Sequence, residues 1–209
     1  MAVIGNYGVS SIIAIPSSPG IKQIEFGGYD TVSTSSSPWT GSEQVQWFPN
    51  DGWTGELTMP LMDIYEIGVW EAWLSELRGM ANVFYLGHPL RTSPLGCASG
   101  LPALSADHAA MATTLNTTGW VTSTARLLIP GDMLQLGQRL HRVLNVVSSD
   151  GNGNASINVW PILREAQPSG TALVLKNPAG LFRLAENKRS VTHTETRLGS
   201  VTLKVKEAK

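Results

Sequence analysis

The chain has one cysteine, Cys97, among 209 residues. A single thiol closes no internal disulfide, so a disulfide-stapled secreted scaffold is excluded. Charge is scarce: Asp, Glu, Lys and Arg make up 15% of the sequence, against about 25% in an average soluble protein. The net charge is −1, so no basic field is available to draw in nucleic acid. No Lys or Arg precedes Lys22, and the longest apolar run near the start is Ile12 to Ile15. That pattern predicts neither a signal peptide nor a membrane-spanning helix. The expectation is a protein made and used in the cytosol, or one leaving the cell by a route other than secretion. What the chain has in quantity is turn chemistry, with 21 glycines and 12 prolines. With 42% hydrophobic residues it is too apolar for general disorder. The composition predicts a mainly β protein with many loops.

Local patterns divide the chain. Residues 1–20 read as an irregular arm, interrupted at Gly5, Gly8, Pro16, Pro19 and Gly20. Ile21 to Phe26 alternates as a strand, ended by Gly27-Gly28, and a Ser/Thr-rich loop follows through Pro38. Glu43 to Phe48 and Trp53 to Met59 form a hairpin about the turn signal Pro49-Asn50-Asp51-Gly52. One helix is predicted over 63–78. Asp63 is its N-cap, Gly79 stops it, and Ile67, Trp70, Leu74 and Leu77 make its apolar stripe, with Trp73 at the margin. Asn82 to Leu86 is the next strand. Residues 90–118 are rich in small residues and read as a long loop or insertion. From Trp120 short strands recur between tight turns, at Met133–Leu136, Arg139–Val147, Ala155–Trp160 and Thr171–Leu175. That rhythm predicts a small barrel or sandwich. Leu181–Leu184 and Ser200–Lys206 close the chain and are expected to return to the first sheet. The predicted organisation is therefore a helix-packed β-domain built from 21–89 and 177–209, with a smaller barrel-like β-domain inserted at 90–176.

Motifs for chemistry are missing. His88, His108, His141 and His193 are scattered, and Asp107-His108 has no G-x-S-x-G or comparable nucleophile signature beside it. Asp150, Asn152 and Asn154 match the opening of a calcium loop. Ala155 then stands where the sharp turn needs Gly, and Pro161 where a bidentate Glu belongs, so a hairpin turn is the expectation. No phosphate-cradling glycine loop occurs. Cys97 has no cation closer in sequence than Arg91 to lower its pKa. No catalytic, cofactor-binding or metal-binding residue is expected, and no cofactor. Seven tryptophans remain. Trp70 belongs to the core by its helical phase. Trp39, in a polar loop, is the candidate contact residue, for a sugar or a protein neighbour.

The order of segments carries a resemblance. A Trp-rich hairpin leads to ELTMPLM and to the helix WEAWLSELRGM, which runs straight into NVFYLGHPL. Later come IPGDMLQLG, LHRVLNVVSSDGNGNASINVWPILR, NPAGLFRLAEN and the closing SVTLKVKEA. Over residues 21–208, and best over 70–89 and 129–184, the chain resembles the small tail proteins of long-tailed bacteriophages, of the distal tail or baseplate-ring type. The resemblance implies a structural virion protein and no enzyme. It implies a homo-oligomeric ring, commonly a hexamer, at the far end of the tail, assembled in the host cytoplasm. Its partners would be copies of itself, the tail tube protein, the central hub or baseplate protein and the tape-measure protein. DNA would pass in transit only, and nothing would insert in a membrane. Two alternatives accompany this reading: a carbohydrate-binding module for the host surface, and a threefold hub subunit. A cell-wall hydrolase ranks last, because no acid pair stands in a recognisable motif.

Overall fold

The computed structural model describes residues 2–188, 190–193 and 198–209. Arg189 and residues 194–197, inside the C-terminal span of the expected first domain, lie outside the described residues. The protein is mainly β, with one helix among the described residues and a nearly closed barrel-like sheet.

The start of the chain departs from expectation. It is a hairpin, β1 (Val3–Tyr7) and β2 (Ser10–Ile13), in place of an irregular arm. Gly8, at φ +56°, takes the left-handed conformation of the turn, so the glycine read as an interruption is what allows the strands to reverse. The Ile13 N–H donates to the Val83 carbonyl at 2.8 Å, which ties β2 to the segment entering β5 (Phe84–Gly87).

The second departure is larger. β3 (Gln23–Ser36) passes through Gly27-Gly28 without a break, and β4 (Glu43–Thr58) passes through Pro49–Gly52. Tyr29 faces Gly52 and Thr31 faces Phe48, so Asp30 opposes Pro49, Asn50 and Asp51. The expected turn is a bulge, and the true turn lies at Ser37–Ser42. Gly28 is needed for close approach. A Cβ there would stand 2.0 Å from Cη2 of Trp160.

After β4 comes α1 (Ile64–Leu77). Asp63 Oδ1 accepts from the N–H groups of Tyr65 and Glu66 at 2.9 and 2.8 Å, while Glu66 reaches back to the Asp63 N–H at 3.2 Å. This capping box fixes where the helix starts. Asp63→Ala is expected to cost about 1 kcal/mol of unfolding free energy, read from urea denaturation. Arg78, at φ 50°, is the C-cap, one residue before the glycine expected in that role. Trp70 and Trp73 are fully buried, so Trp73 lies inside the stripe rather than at its margin.

Residues 90–118 hold β6 (Gly100–Leu104) and the start of β7 (Thr114–Trp120). With β8 (Met133–Leu136), β9 (Arg139–Val143), β10 (Ala155–Trp160) and β11 (Leu173–Val174) they make a sheet in the order β11-β8-β9-β10-β7-β6. Its ends meet where Ala103 pairs with Ala172, and the Leu104 N–H donates to the Thr171 carbonyl at 2.9 Å. The first sheet runs β3-β4-β14-β12-β5, with β12 at Ala179–Leu184 and β14 at Gly199–Glu207. β13 (Val191–His193) pairs with β14.

β9, a strand of the barrel sheet, sends side chains into both cores. Val143 on it packs in the barrel core beside Leu134 and Ile157. Leu140 packs in the other core beside Trp53 and Phe182. Both faces of β9 are buried, which is why its sequence shows no apolar–polar alternation. The Trp53 Nε1–H donates to the Leu140 carbonyl at 2.7 Å, and the Arg142 guanidinium lies 4.8 Å from a Trp53 ring centre.

Candidate assembly interface

Beyond the bulge, β3 and β4 leave the body as a two-stranded ribbon. Both strands are exposed on both faces from Val32 to Phe48, apart from Ser37 near the tip. Two strands alone are marginal in water, and this pair has little beneath it. Val32 pairs with Trp47 and Thr34 with Val45, so one face carries Val32, Val45 and Trp47 together. Val45 is 62% exposed and Trp47 46%. Among the described residues β3 has no strand partner along its outer edge, and its 14 residues include neither Lys nor Pro, the usual protections of an edge. Trp39 stands in the turn at the tip, 92% exposed.

Between the ribbon and the barrel lies a groove of about 370 Å³. Trp47, Leu144, Trp160 and Ile162 supply its apolar wall, and Asp30, Thr114 and Asn158 its polar groups. The Trp160 Nε1–H donates to Asp30 Oδ1 at 3.0 Å, and Thr114 Oγ1 donates to Asn158 Oδ1 at 2.9 Å.

At the other end of the first sheet, α1 shows a second apolar surface. Leu61 just before it, then Ile64, Tyr65, Gly68, Val69 and Ala72, face outward. A helix apolar on the inside and on the outside ordinarily has neighbours on both sides. Nothing lies within 4 Å of where a Gly68 Cβ would stand.

The charged groups buried in the molecule tie its parts together. The bulge turns Asp51 inward, where Oδ2 accepts from the Ile162 N–H at 3.0 Å and Oδ1 lies 3.8 Å from Arg164. Arg139 pairs with Glu207 at 3.4 Å and with Glu165 at 3.3 Å, donates to the Tyr7 hydroxyl at 2.5 Å, and donates to the Ala208 carbonyl. The Trp53 N–H donates to the other Glu207 oxygen at 3.1 Å. Burial pushes the Glu207 carboxyl above its usual range, with the Trp53 N–H and Arg139 pulling the other way. His141 donates through Nδ1 to the Pro161 carbonyl at 2.8 Å. Its pKa is lowered to about 4, chiefly by burial and further by Arg139 and Arg164. These groups bind one another, and Asp51 alone among them also borders the groove, so their chemistry is that of a clamp.

The residues tested for chemistry hold local structure. His108 is bound through Nδ1 to the Ala106 carbonyl, and its Nε2 accepts from the Asn116 N–H at 2.9 Å. Asp107 accepts from the Ser169 N–H at 2.7 Å. The Asp150 carboxylate accepts from the N–H groups of Asn152 and Asn154, both at 2.8 Å, which holds its pKa below the usual carboxylate range and makes a hairpin turn. Cys97 is exposed. Among the described residues no group of three or more His, Cys, Asp or Glu is placed to hold a metal. No helix among them is long and apolar enough to cross a membrane.

The candidate contact residue Trp39 does not reach the groove's lining, which holds Trp47 and Trp160 instead. Sequence reasoning missed the ribbon because it took two glycine-bearing segments as strand ends. The signal was present in Val32–Thr34 and Val45–Trp47, two short runs flanking a Ser/Pro/Gly cluster, which is a hairpin pattern. No family model matches the chain, and no curated protein matches it in sequence.

Proposed function

We propose that the chain is a structural subunit of a ring at the distal end of a bacteriophage tail. The ring would join the tail tube to the central hub or baseplate and leave a channel for the tape-measure protein and then DNA. The observation that carries the reading is the pair of apolar surfaces, ribbon and helix, at opposite ends of one sheet. A chain with unlike apolar patches at its two ends associates head to tail, and head-to-tail contacts that close by rotation make rings. The tail position comes from the segment resemblance, best over 70–89 and 129–184, which correspond to α1 with β5 and to the run from β8 to β12. A charged fraction of 15% suits a surface meant for neighbours. The mechanism is assembly and conduit formation, with no bond made or broken.

The test is sedimentation of the purified chain at high concentration, together with negative-stain imaging of it and of assembled tail tips. A closed ring with an axial channel is expected, and its symmetry separates a sixfold ring from a threefold hub subunit. A strict monomer, with no matching density at the tail end, overturns the reading.

One observation favours carbohydrate binding as a second reading. The groove sets two indoles beside a carboxylate, an amide and a hydroxyl, the mixed lining that small polar ligands use. On a glycan array the intact protein would then give a signal that Trp47→Ala removes. Silence from both the chain and the assembled tail overturns it.

A further inference from the structure

The groove between ribbon and barrel carries charge of one sign. Asp30 and Asp51 both stand in its lining, and among the described residues that line it there is no Lys, Arg or His. Arg164 answers Asp51 from outside the lining, at 3.8 Å, which is too long for a hydrogen bond. Asp51 Oδ1 accepts no hydrogen bond, although the side chain is only 1% exposed. Asp30 has no ion pair among the described residues, and the Trp160 Nε1–H engages only its Oδ1, at 3.0 Å. Two indoles add to the same sign, Trp47 from the ribbon and Trp160 from the barrel, because an aromatic face is electron-rich. We propose that this groove binds a sugar bearing a free ammonium group. The inference rests on the carbohydrate reading of the groove and names the class of sugar it takes.

Size and chemistry agree with that ligand. A volume of 370 Å³ falls within the about 300–1,000 Å³ of small-molecule clefts. The C–H face of a sugar ring is matched by the Trp47 indole, which is 46% exposed. Asn158 Oδ1 is taken by the Thr114 hydroxyl, so the amide nitrogen is left to donate to a sugar hydroxyl. A neutral sugar would use these groups and leave the Asp30 carboxylate unanswered between two indoles. An ammonium answers it, by a charge-assisted hydrogen bond to Oδ2 and by attraction to the aromatic faces. Asp51 behind it adds to the attraction for a cation.

The test is titration of the full chain with glucosamine, N-acetylglucosamine, glucose and methylammonium, at about pH 6, where the amines are cationic. Binding is followed by tryptophan fluorescence and by calorimetry. Glucosamine is expected to bind roughly tenfold or more tighter than either neutral sugar, and added salt is expected to narrow the gap. Asp30→Asn keeps an oxygen to accept from the Trp160 Nε1–H and removes the charge. It is expected to bring glucosamine to within about twofold of glucose while leaving glucose binding as it was. Trp47→Ala is expected to weaken all three sugars together. Three sugars that bind the wild type alike overturn the ammonium and leave the carbohydrate reading standing. A preference for glucosamine that survives Asp30→Asn also overturns the assignment. Methylammonium binding as tightly as glucosamine overturns the sugar as occupant. No binding by any of the four overturns both the ammonium and the carbohydrate reading.

Discussion

Unfolding free energy is expected to fall by about 3 kcal/mol as pH drops from 6.5 to 4, and His141 accounts for the fall. The imidazole is buried and neutral, with a pKa of about 4 against 6.5 in the unfolded chain. Above pH 6.5 both states hold it neutral and its full contribution is present. Between 6.5 and 4 the unfolded chain takes up a proton that the folded chain refuses, so stability is lost as pH falls. Below about 4 both states are protonated and the loss levels off. The cause is chiefly burial, and Arg139 and Arg164 add repulsion toward a cation. His88, its pKa lowered chiefly by burial and further by Arg142 and Arg91, shifts the same way and steepens the fall. Glu207, whose pKa is raised, works against it. The fold takes up a proton there before the unfolded chain does, which adds stability as pH falls toward 4.5. Urea denaturation of wild type and His141→Phe at pH 7 and pH 4.5 checks the assignment. The variant loses the bond to the Pro161 carbonyl and is expected to be less stable at pH 7, yet to change much less between the two pH values. A wild type whose urea midpoint does not move over this range overturns it.

That imidazole shows where sequence reasoning reaches its limit. Nothing within LHRVL marks His141 as buried, because β9 has no apolar–polar alternation to read. It has none because both of its faces are covered, one by the barrel interior and one by the core around Trp53. The mainly β class, the helix and its Asp63 cap were legible, because each rests on contacts among neighbours in sequence. Trp70 was legible from helical phase, whereas Trp73 needed the third dimension, where it meets Phe84 edge to face at 5.0 Å between ring centres. The long ribbon was hidden by local turn chemistry. Pro49-Asn50-Asp51-Gly52 has every residue preference of a turn, and cross-strand pairing overrode it to make a bulge. The groove had no signal at all, since Asp30, Trp47, Thr114, Leu144 and Trp160 lie in five separate stretches of chain.

The N-terminal hairpin and the bulge share one consequence, because both deliver polar side chains to the seam where the barrel meets the first sheet. β1 brings Tyr7, the bulge brings Asp51 and β14 brings Glu207. Arg139 at the start of β9 binds two of the three. Rigid placement of the barrel against the sheet also sets the width of the groove, since its walls come one from each. The width of the groove therefore depends on the clamp behind it.

Arg139→Met is accordingly expected to cost about 3–5 kcal/mol at pH 7, the usual range when one member of a buried ion pair is removed. The guanidinium and Glu207 are both nearly inaccessible, with side chains 7% and 4% exposed. Removing the cation leaves a carboxylate in the seam with the Trp53 N–H and the weaker pull of Arg164 and Lys209 to stabilise its charge. The pKa of Glu207, already raised by burial, would rise further once the pull of Arg139 is gone. The sign of the pH dependence follows. The variant recovers stability relative to the wild type as pH falls through that raised value toward 4.5, because protonation removes the unpaired charge. Loss of packing alone would leave the difference flat. The double variant Arg139→Met, Glu207→Leu separates pairing from space filling, since replacing a buried pair by apolar groups is often neutral. It is expected to regain most of the lost free energy, by a coupling larger than independent sites give. Equal destabilisation at every pH, with additive single variants, would show that Arg139 serves as a spacer between barrel and sheet and that its charge is idle.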